Sequence, residues 1–149
     1  MSADPDVMED FGGPLNRTES DAKFDRYANA FEQHGFCRWA VEDLEGRFLG
    51  YTAAMPSRSG HPLGLHADIG WRFIRAAWGN GYATEAARAS LRDVFGRIGL
   101  KEVLAYTAPD NIRSQAVMRR LGLQRAVALD YSEPFGGEMW HGLVWIGRP

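Results

Sequence analysis

The sequence predicts an α/β fold in which a mixed, mostly antiparallel central sheet is flanked by helices. Three observations carry that reading. Short runs of strand character recur at 36–42, 47–55, 68–74, 102–107, 123–130 and 139–146. Two amphipathic patterns at helical spacing, 81–98 and 112–121, are interleaved among the later runs, as in a layered α/β domain. The chain has 149 residues, 45% of them hydrophobic and 12% aromatic, enough for one buried core. Residues 1–149 are therefore expected to form a single domain.

The N-terminal third, from Pro5 to about His34, reads as helical. DPDVMED, residues 4–10, is a short helix and GGPL a turn, and Thr18 is the expected N-cap of a longer helix carrying Phe24, Tyr27, Ala28 and Phe31. Gly35 ends that helix. The runs 36–42 and 47–55 flank DLEGR, whose Gly46 suits a hairpin turn, so they are expected to pair antiparallel. A loop rich in Ser, Gly and Pro, 56–66, leads to a third strand, 68–74, with Ile69, Trp71 and Phe73 on one face. Between Gly81 and Ile98, residues Ala83, Ala87, Leu91, Val94, Phe95 and Ile98 share one side of a helix closed by Gly99. The strand EVLAYT follows, then PDN with Asn111 as N-cap. A second helix, Ile112 to Leu121, is closed by Gly122, and two last strands, 123–130 and 139–146, complete the chain.

A formal net charge of −2 gives no electrostatic reason to expect nucleic acid or an anionic membrane as partner. Every apolar run is broken well short of the roughly 20 residues of a bilayer span, and the start, MSADPDVMED, is acidic. Cys37 is the single cysteine and cannot form an internal disulfide. Its alternation with Trp39 and Val41 makes it a core thiol, not a nucleophile. A cytoplasmic protein is expected, with no metal.

The segment DIGWRFI, then WGNG, then an alanine-rich helix raises the functional question. The first amides of a helix lack internal partners and sit at the positive end of its dipole, so a tight turn leading into one can bind an anion. Gly79 and Gly81 would let backbone approach a phosphate, and Asn80 tolerates unusual dihedrals. A nucleotide P-loop is excluded, because its Lys and Ser or Thr are missing and Tyr82 follows the second glycine. A dinucleotide fingerprint would need a third small residue, which Thr84 only approximates, and a later acid. The nearest acid, Glu102, opens its strand and points away from the ligand edge. The plainer reading, a strand-to-helix turn with no ligand, stands beside these.

The order strand, WGNGYATEA helix, strand, NIRSQAVMRRLGL resembles the GNAT superfamily of N-acetyltransferases, especially the branch typified by the ribosomal-protein N-terminal acetyltransferases. The resemblance covers nearly the whole chain and implies the GNAT fold. It implies acetyl-CoA as co-substrate, with its pyrophosphate on the segment Trp78, Gly79, Asn80, Gly81, Tyr82, Ala83, Thr84. It also implies pantetheine along the third strand, at Ile69, Trp71 and Phe73, and a contact from Asn111. Two departures stand out. Relatives usually place a strand before the DPDVM segment, so the edge of 36–42 is expected to be bare, covered by a homodimer, or completed by a start upstream of Met1. Met118 occupies a position where the superfamily often has a tyrosine that protonates the departing thiolate, which methionine cannot do.

Acetyl transfer to an amine needs a neutral amine, a polarised carbonyl and a proton for sulfur. An α-amino group costs about 1.4 kcal/mol to deprotonate at pH 7, a lysine nearly 5. Asp68 matches the region where related enzymes carry a catalytic acid and is the leading base, beside its plainer reading as a solvated strand-end carboxylate. His66 is a weaker candidate. Backbone amides of 69–73 would stabilise the oxyanion. Ser114 is the best-placed proton donor and cofactor contact, although a small polar residue there is also ordinary helix-start structure. Arg113, Arg119 and Arg120 are candidates for the cofactor's adenosine phosphate. Trp39, Tyr51, Trp71, Trp140 and Trp145 are candidates for an acceptor cleft, most of them expected in the core. The acceptor is an amine, on a protein N-terminus or a small molecule. The reading from another class is a non-catalytic acyl-CoA-binding or sensing module on the same fold.

Overall fold

The computed structural model describes residues 1–9 and 12–149. Helix α1 spans Pro5–Met8, capped by the Asp4 carboxylate on the amides of Asp6 and Val7, with Pro5 at its start. The residue at which the predicted helix would end, Asp10, lies outside the described residues. Helix α2 is Arg17–His34, and its N-cap is Asn16 where Thr18 was expected. The reason is a reciprocal capping box: Asn16 Oδ1 accepts from Glu19 N–H at 2.9 Å and Glu19 Oε2 accepts from Asn16 N–H at 2.8 Å. Gly35 ends the helix in left-handed geometry, as expected.

The strands are β1 Trp39–Glu42, β2 Phe48–Pro56, β3 Ala67–Phe73, β4 Val103–Thr107, β5 Gln124–Arg125, β6 Tyr131–Phe135 and β7 Glu138–Gly147. They lie in the order β1-β2-β3-β4-β7-β5, with β6 also paired to β7. Every pairing is antiparallel except β3 with β4. This is the mixed, mostly antiparallel sheet read from the sequence. The expected strand over 123–130 breaks after two residues into a 3-10 turn, Val127–Leu129, and a further strand, β6, follows. Gly136 and Gly137, with φ of +61° and +87°, make the two-residue turn joining β6 to β7. Paired positive φ values are what that turn demands, and Gly-Gly supplies them at least cost.

Directly paired residues share a sheet face. Tyr51, Ala53 and Met55 pair with Arg72, Gly70 and Asp68, while Ile69, Trp71 and Phe73 lie on the opposite face. Helix α2 covers the first face, and helix α3, Tyr82–Gly96, covers the second. Ala87, Leu91 and Val94 of α3 pack with Ile69, Val103, Ala105, Met118 and Trp145. Helix α4, Ile112–Arg120, ends in a paired-bond cap: Gly122 N–H donates to Arg119 O and Leu123 N–H to Met118 O. Of the apolar residues read on this helix, Phe24 and Phe31 are 68% and 52% exposed. Tyr27, read with them, and Lys23 face the sheet at Tyr51. Cys37 is only half buried and lies just before β1. Its thiol donates to Arg38 O, and burial raises its pKa, which agrees with an unreactive thiol. Strand β1 forms one edge of the sheet. Among the described residues, no helix is long and apolar enough to cross a membrane.

At Ala53, φ is +139°, and the next amide, Ala54 N–H, donates to the Ser90 hydroxyl of α3 at 3.2 Å. Both residues are fully buried. Ser90→Ala should therefore strand a buried amide and cost about 1–3 kcal/mol, read as a shift in the denaturant midpoint at constant slope.

Candidate active site

Strands β3 and β4 run parallel, yet among the described residues they pair at one position only, Asp68 with Leu104. Beyond it their edges part. A cleft of about 1400 Å³ opens there and runs from the turn before α3, along β3, to the β6–β7 hairpin. All of Ile69, Trp71 and Phe73 line it, as do Asn111, Ser114 and Met118 of the α4 region.

At one end stands the glycine turn. Gly79 and Gly81 have φ of +78° and +84°, and an added Cβ at either would meet nothing within 4 Å, so both face open space. Of the expected donors, Trp78 N–H already bonds Arg75 O and Thr84 N–H bonds Gly81 O. That leaves the amides of Gly79, Asn80, Gly81, Tyr82 and Ala83 to meet an anion. The Asn80 side chain pins the turn by donating to Trp78 O at 3.0 Å, and Trp78 Nε1–H anchors it to Phe73 O at 2.9 Å. Arg113 of α4 lies 4.1 Å from the Trp78 ring centroid, so both walls of the cleft meet at this mouth. Of the other arginines considered, Arg120 lines the cleft while Arg119 does not. Glu102 pairs with Arg148 at 2.6 Å, as its place at the opposite end of β4 requires.

Asn111 caps α4, its Oδ1 accepting from Ser114 N–H at 3.0 Å. Met118 is 2% exposed and packed in the core, with only its edge on the cleft. Of the aromatic residues proposed for the cleft, Tyr51, Trp71 and Trp140 line it. Trp145 is core, and Trp39 is half buried on β1.

Asp68 is not the solvated strand-end carboxylate of the plainer reading. It is ion-paired with Arg38, both side chains close to 90% buried. The Arg38 guanidinium also donates to the carbonyls of Ala53 and Asp68, so it fastens β2 to β3. It lies against Gly70, where an added Cβ would come within 3.1 Å of it. Arg38 alternates with Cys37 and Trp39 along FCRWAVE, and a charge inside that apolar run was the signal for this inward role.

The loop 56–66 also holds more than expected. His61 is 7% exposed, and its ring lies within 5.1 Å of those of His66, Tyr106 and Tyr131. Leu63 N–H donates to His61 Nδ1, so the neutral ring carries its proton on Nε2, where it meets Tyr131 Oη at 3.2 Å. Burial, then the neighbouring His66 and Arg58, lowers the His61 pKa. His66 donates from Nδ1 to Gly64 O, and its buried Nε2 has no partner among the described residues. Burial raises the phenol pKa of both Tyr106 and Tyr131, which keeps them as protonated donors. The far end of the cleft is thus walled by Tyr106, Tyr131 and Trp140, with Asp68 at its floor.

Residues 1–124 match the family described as the acetyltransferase (GNAT) domain. The chain is 35% identical over 130 residues to FsC-acetyl coenzyme A-N(2)-transacetylase from Aspergillus fumigatus, a match covering 83% of this chain and 55% of that protein. It is 31% identical over 121 residues to the uncharacterised protein YkkB of Bacillus subtilis, covering 80% and 69%. The chain thus spans little more than half the length of the first of these relatives. In fold it resembles a GNAT-family acetyltransferase from Bacillus anthracis, with TM-score 0.75, 23% identity, and 99% and 84% of the two chains covered. It also resembles a spermidine N-acetyltransferase from Vibrio cholerae, solved with CoA and spermine, with TM-score 0.75, 15% identity, and 99% and 85% covered.

Two outcomes test the site as built. Arg38→Met leaves Asp68 buried without its counter-charge and should cost about 3–5 kcal/mol in a denaturant titration, whereas Arg38→Met with Asp68→Leu should recover most of it. Because the folded His61 pKa lies below its ordinary 6.5, the unfolded chain binds the proton more readily just under that value. Stability should then decline as pH falls through about 6.5 and level off below the folded pKa, and His61→Gln should remove that part of the slope.

Proposed function

The chain belongs to the GNAT acetyltransferase family, and from that premise we propose that it moves an acetyl group from acetyl-CoA to a primary amine by direct attack in a ternary complex. The observation carrying this reading is the continuity of one cleft from the open glycine turn, along the free edge of β3, to the Asp68 carboxylate. We propose further that residues 1–149 act as one catalytic domain in the cytoplasm, of the branch typified by ribosomal-protein N-terminal acetyltransferases. A homodimer would cover the β1 edge. Similarity to an N(2)-transacetylase supports nitrogen as the atom acylated.

In this reading the amides of Gly79 through Ala83 and the α3 dipole hold the pyrophosphate, and Ile69, Trp71 and Phe73 line the pantetheine path. The amide of Asn111 reaches the same arm. The bound thioester supplies the acyl group. Backbone N–H groups on the β3 edge that faces the gap toward β4 polarise its carbonyl. Arg38 engages one oxygen of Asp68. The other accepts the amine proton, directly or through a water. Met118 has no proton to give and lies in the core. The Ser114 hydroxyl, lining the cleft in the first turn of α4, is the donor to the departing sulfur.

Acetyl-CoA should raise the melting temperature, and Gly81→Val should abolish that shift while the protein stays folded, because the left-handed turn strains any branched residue and the side chain fills the anion's place. An unchanged shift would put the anion elsewhere. Asp68→Asn should lower kcat at least tenfold at pH 7 with cofactor affinity intact, the deficit shrinking as pH rises and the amine loses its proton unaided. Thiol release over an amine panel measures both the deficit and turnover itself. A thermal shift without turnover would favour the non-catalytic binding module.

A further inference from the structure

The α2 side of the cleft carries a feature that acetyl transfer alone leaves unused. Lys23, Arg26, Tyr27, Tyr51 and Arg72 meet there and line the same cleft as Asp68. Lys23 Nζ donates to Tyr51 Oη at 3.0 Å and lies 5.2 Å from that ring's centroid. The Arg72 guanidinium lies 5.6 Å from the same ring, and Arg26 lies 5.8 Å from the ring of Tyr27. In the same wall Arg38 is matched by Asp68 and Arg58 by Glu133. Lys23 has Tyr51 as its hydrogen-bond partner and, among the described residues, no carboxylate at ion-pair distance. Burial, then Arg72 and Arg26, lowers its pKa. At Tyr51 burial would raise the phenol, yet Arg72 and Lys23 outweigh it and lower its pKa. Both shifts mark positive potential in the space beside Lys23 and the Tyr51 hydroxyl, which Arg26 also lines.

We propose that Lys23, Arg26 and the Tyr51 hydroxyl form a subsite for a carboxylate on the acceptor, so that the amine acetylated at Asp68 belongs to a molecule carrying an anion at its other end. This rests on the acetyl-transfer reading and names the acceptor's class. Spacing sets the acceptor's length. Tyr51 pairs with Arg72 and Met55 with Asp68, four residues earlier along β3. Four residues of strand rise about 13 Å, and inward-reaching side chains shorten the span to roughly 10 Å. An extended tripeptide covers about that distance from its amine to its terminal carboxylate. A polyamine, cationic at both ends, would meet repulsion instead.

The test uses glycine, diglycine, triglycine and tetraglycine, each as free acid and as C-terminal amide, titrated calorimetrically into the CoA-saturated full chain. Thiol release is followed in parallel with acetyl-CoA in place of CoA. Triglycine acid should bind about tenfold more tightly than its amide, with no such preference for glycine. Lys23→Met and Tyr51→Phe should each remove most of that difference without weakening the amide. Equal binding of acid and amide, binding of neither, or an equal loss for both in Lys23→Met overturns the subsite. Acid-selective binding without thiol release retains the subsite and defeats the acetyl-transfer reading. Thiol release indifferent to the carboxylate retains transfer and defeats the subsite.

Discussion

The structure depends most on one guanidinium. Arg38 approaches β3 over Gly70, pairs with the Asp68 carboxylate, and bonds carbonyls on both β2 and β3. It does so beside the rung between β3 and β4, where the Asp68 backbone is paired on both sides but its carboxylate has Arg38 to fix it. A buried ion pair of this kind contributes little net stability, since desolvation consumes most of the attraction. What it supplies is placement: a charge that cannot leave its partner fixes where the carboxylate sits relative to the open edge.

From that anchor the two halves of the cleft are built by different means. The half proposed for the cofactor is backbone, a left-handed glycine turn at the head of α3 pinned by Asn80 and Trp78 and met by Arg113 from α4. The half proposed for the acceptor is side chains: the Tyr106, Tyr131 and Trp140 wall on one side, and the Tyr51 and Lys23 group on the other. Backbone recognition tolerates substitution around it, whereas a wall of rings and charges changes its selectivity with each residue.

That difference also decides what the sequence alone reveals. Glycines at 79 and 81 followed by an amphipathic pattern locate the turn and α3, because both are local structures with local signals. The N-cap Asn111 and the cap at Gly122 were legible for the same reason. Arg38 was not. Its partners are 15 and 30 residues away, beyond the reach of any local pattern. The ring cluster eluded reading too, since His61 sits in a Ser, Gly and Pro-rich loop, Tyr106 on β4 and Tyr131 on a strand that Pro134 and two glycines disguised as loop. Asn16 displaced Thr18 as a helix cap because two reciprocal bonds outcompete one. Phe24 and Phe31 show the limit of counting apolar spacing when the facing sheet is polar.

The single rung between β3 and β4 has a consequence for how the protein comes apart. Folding cooperativity travels through a sheet along its hydrogen-bonded ladders. Here the ladder is nearly cut, leaving β1, β2 and β3 on one side and β4, β7, β5 and β6 on the other. What couples the halves is α3, whose Leu91, Val94 and Ala87 sit in one cluster with Ile69 of the first half and Val103 and Ala105 of the second. Such a molecule is close to two foldons sharing a helix. A ligand lying along the gap would supply the missing rungs, and so act as a splint that makes two loosely joined half-sheets melt as one.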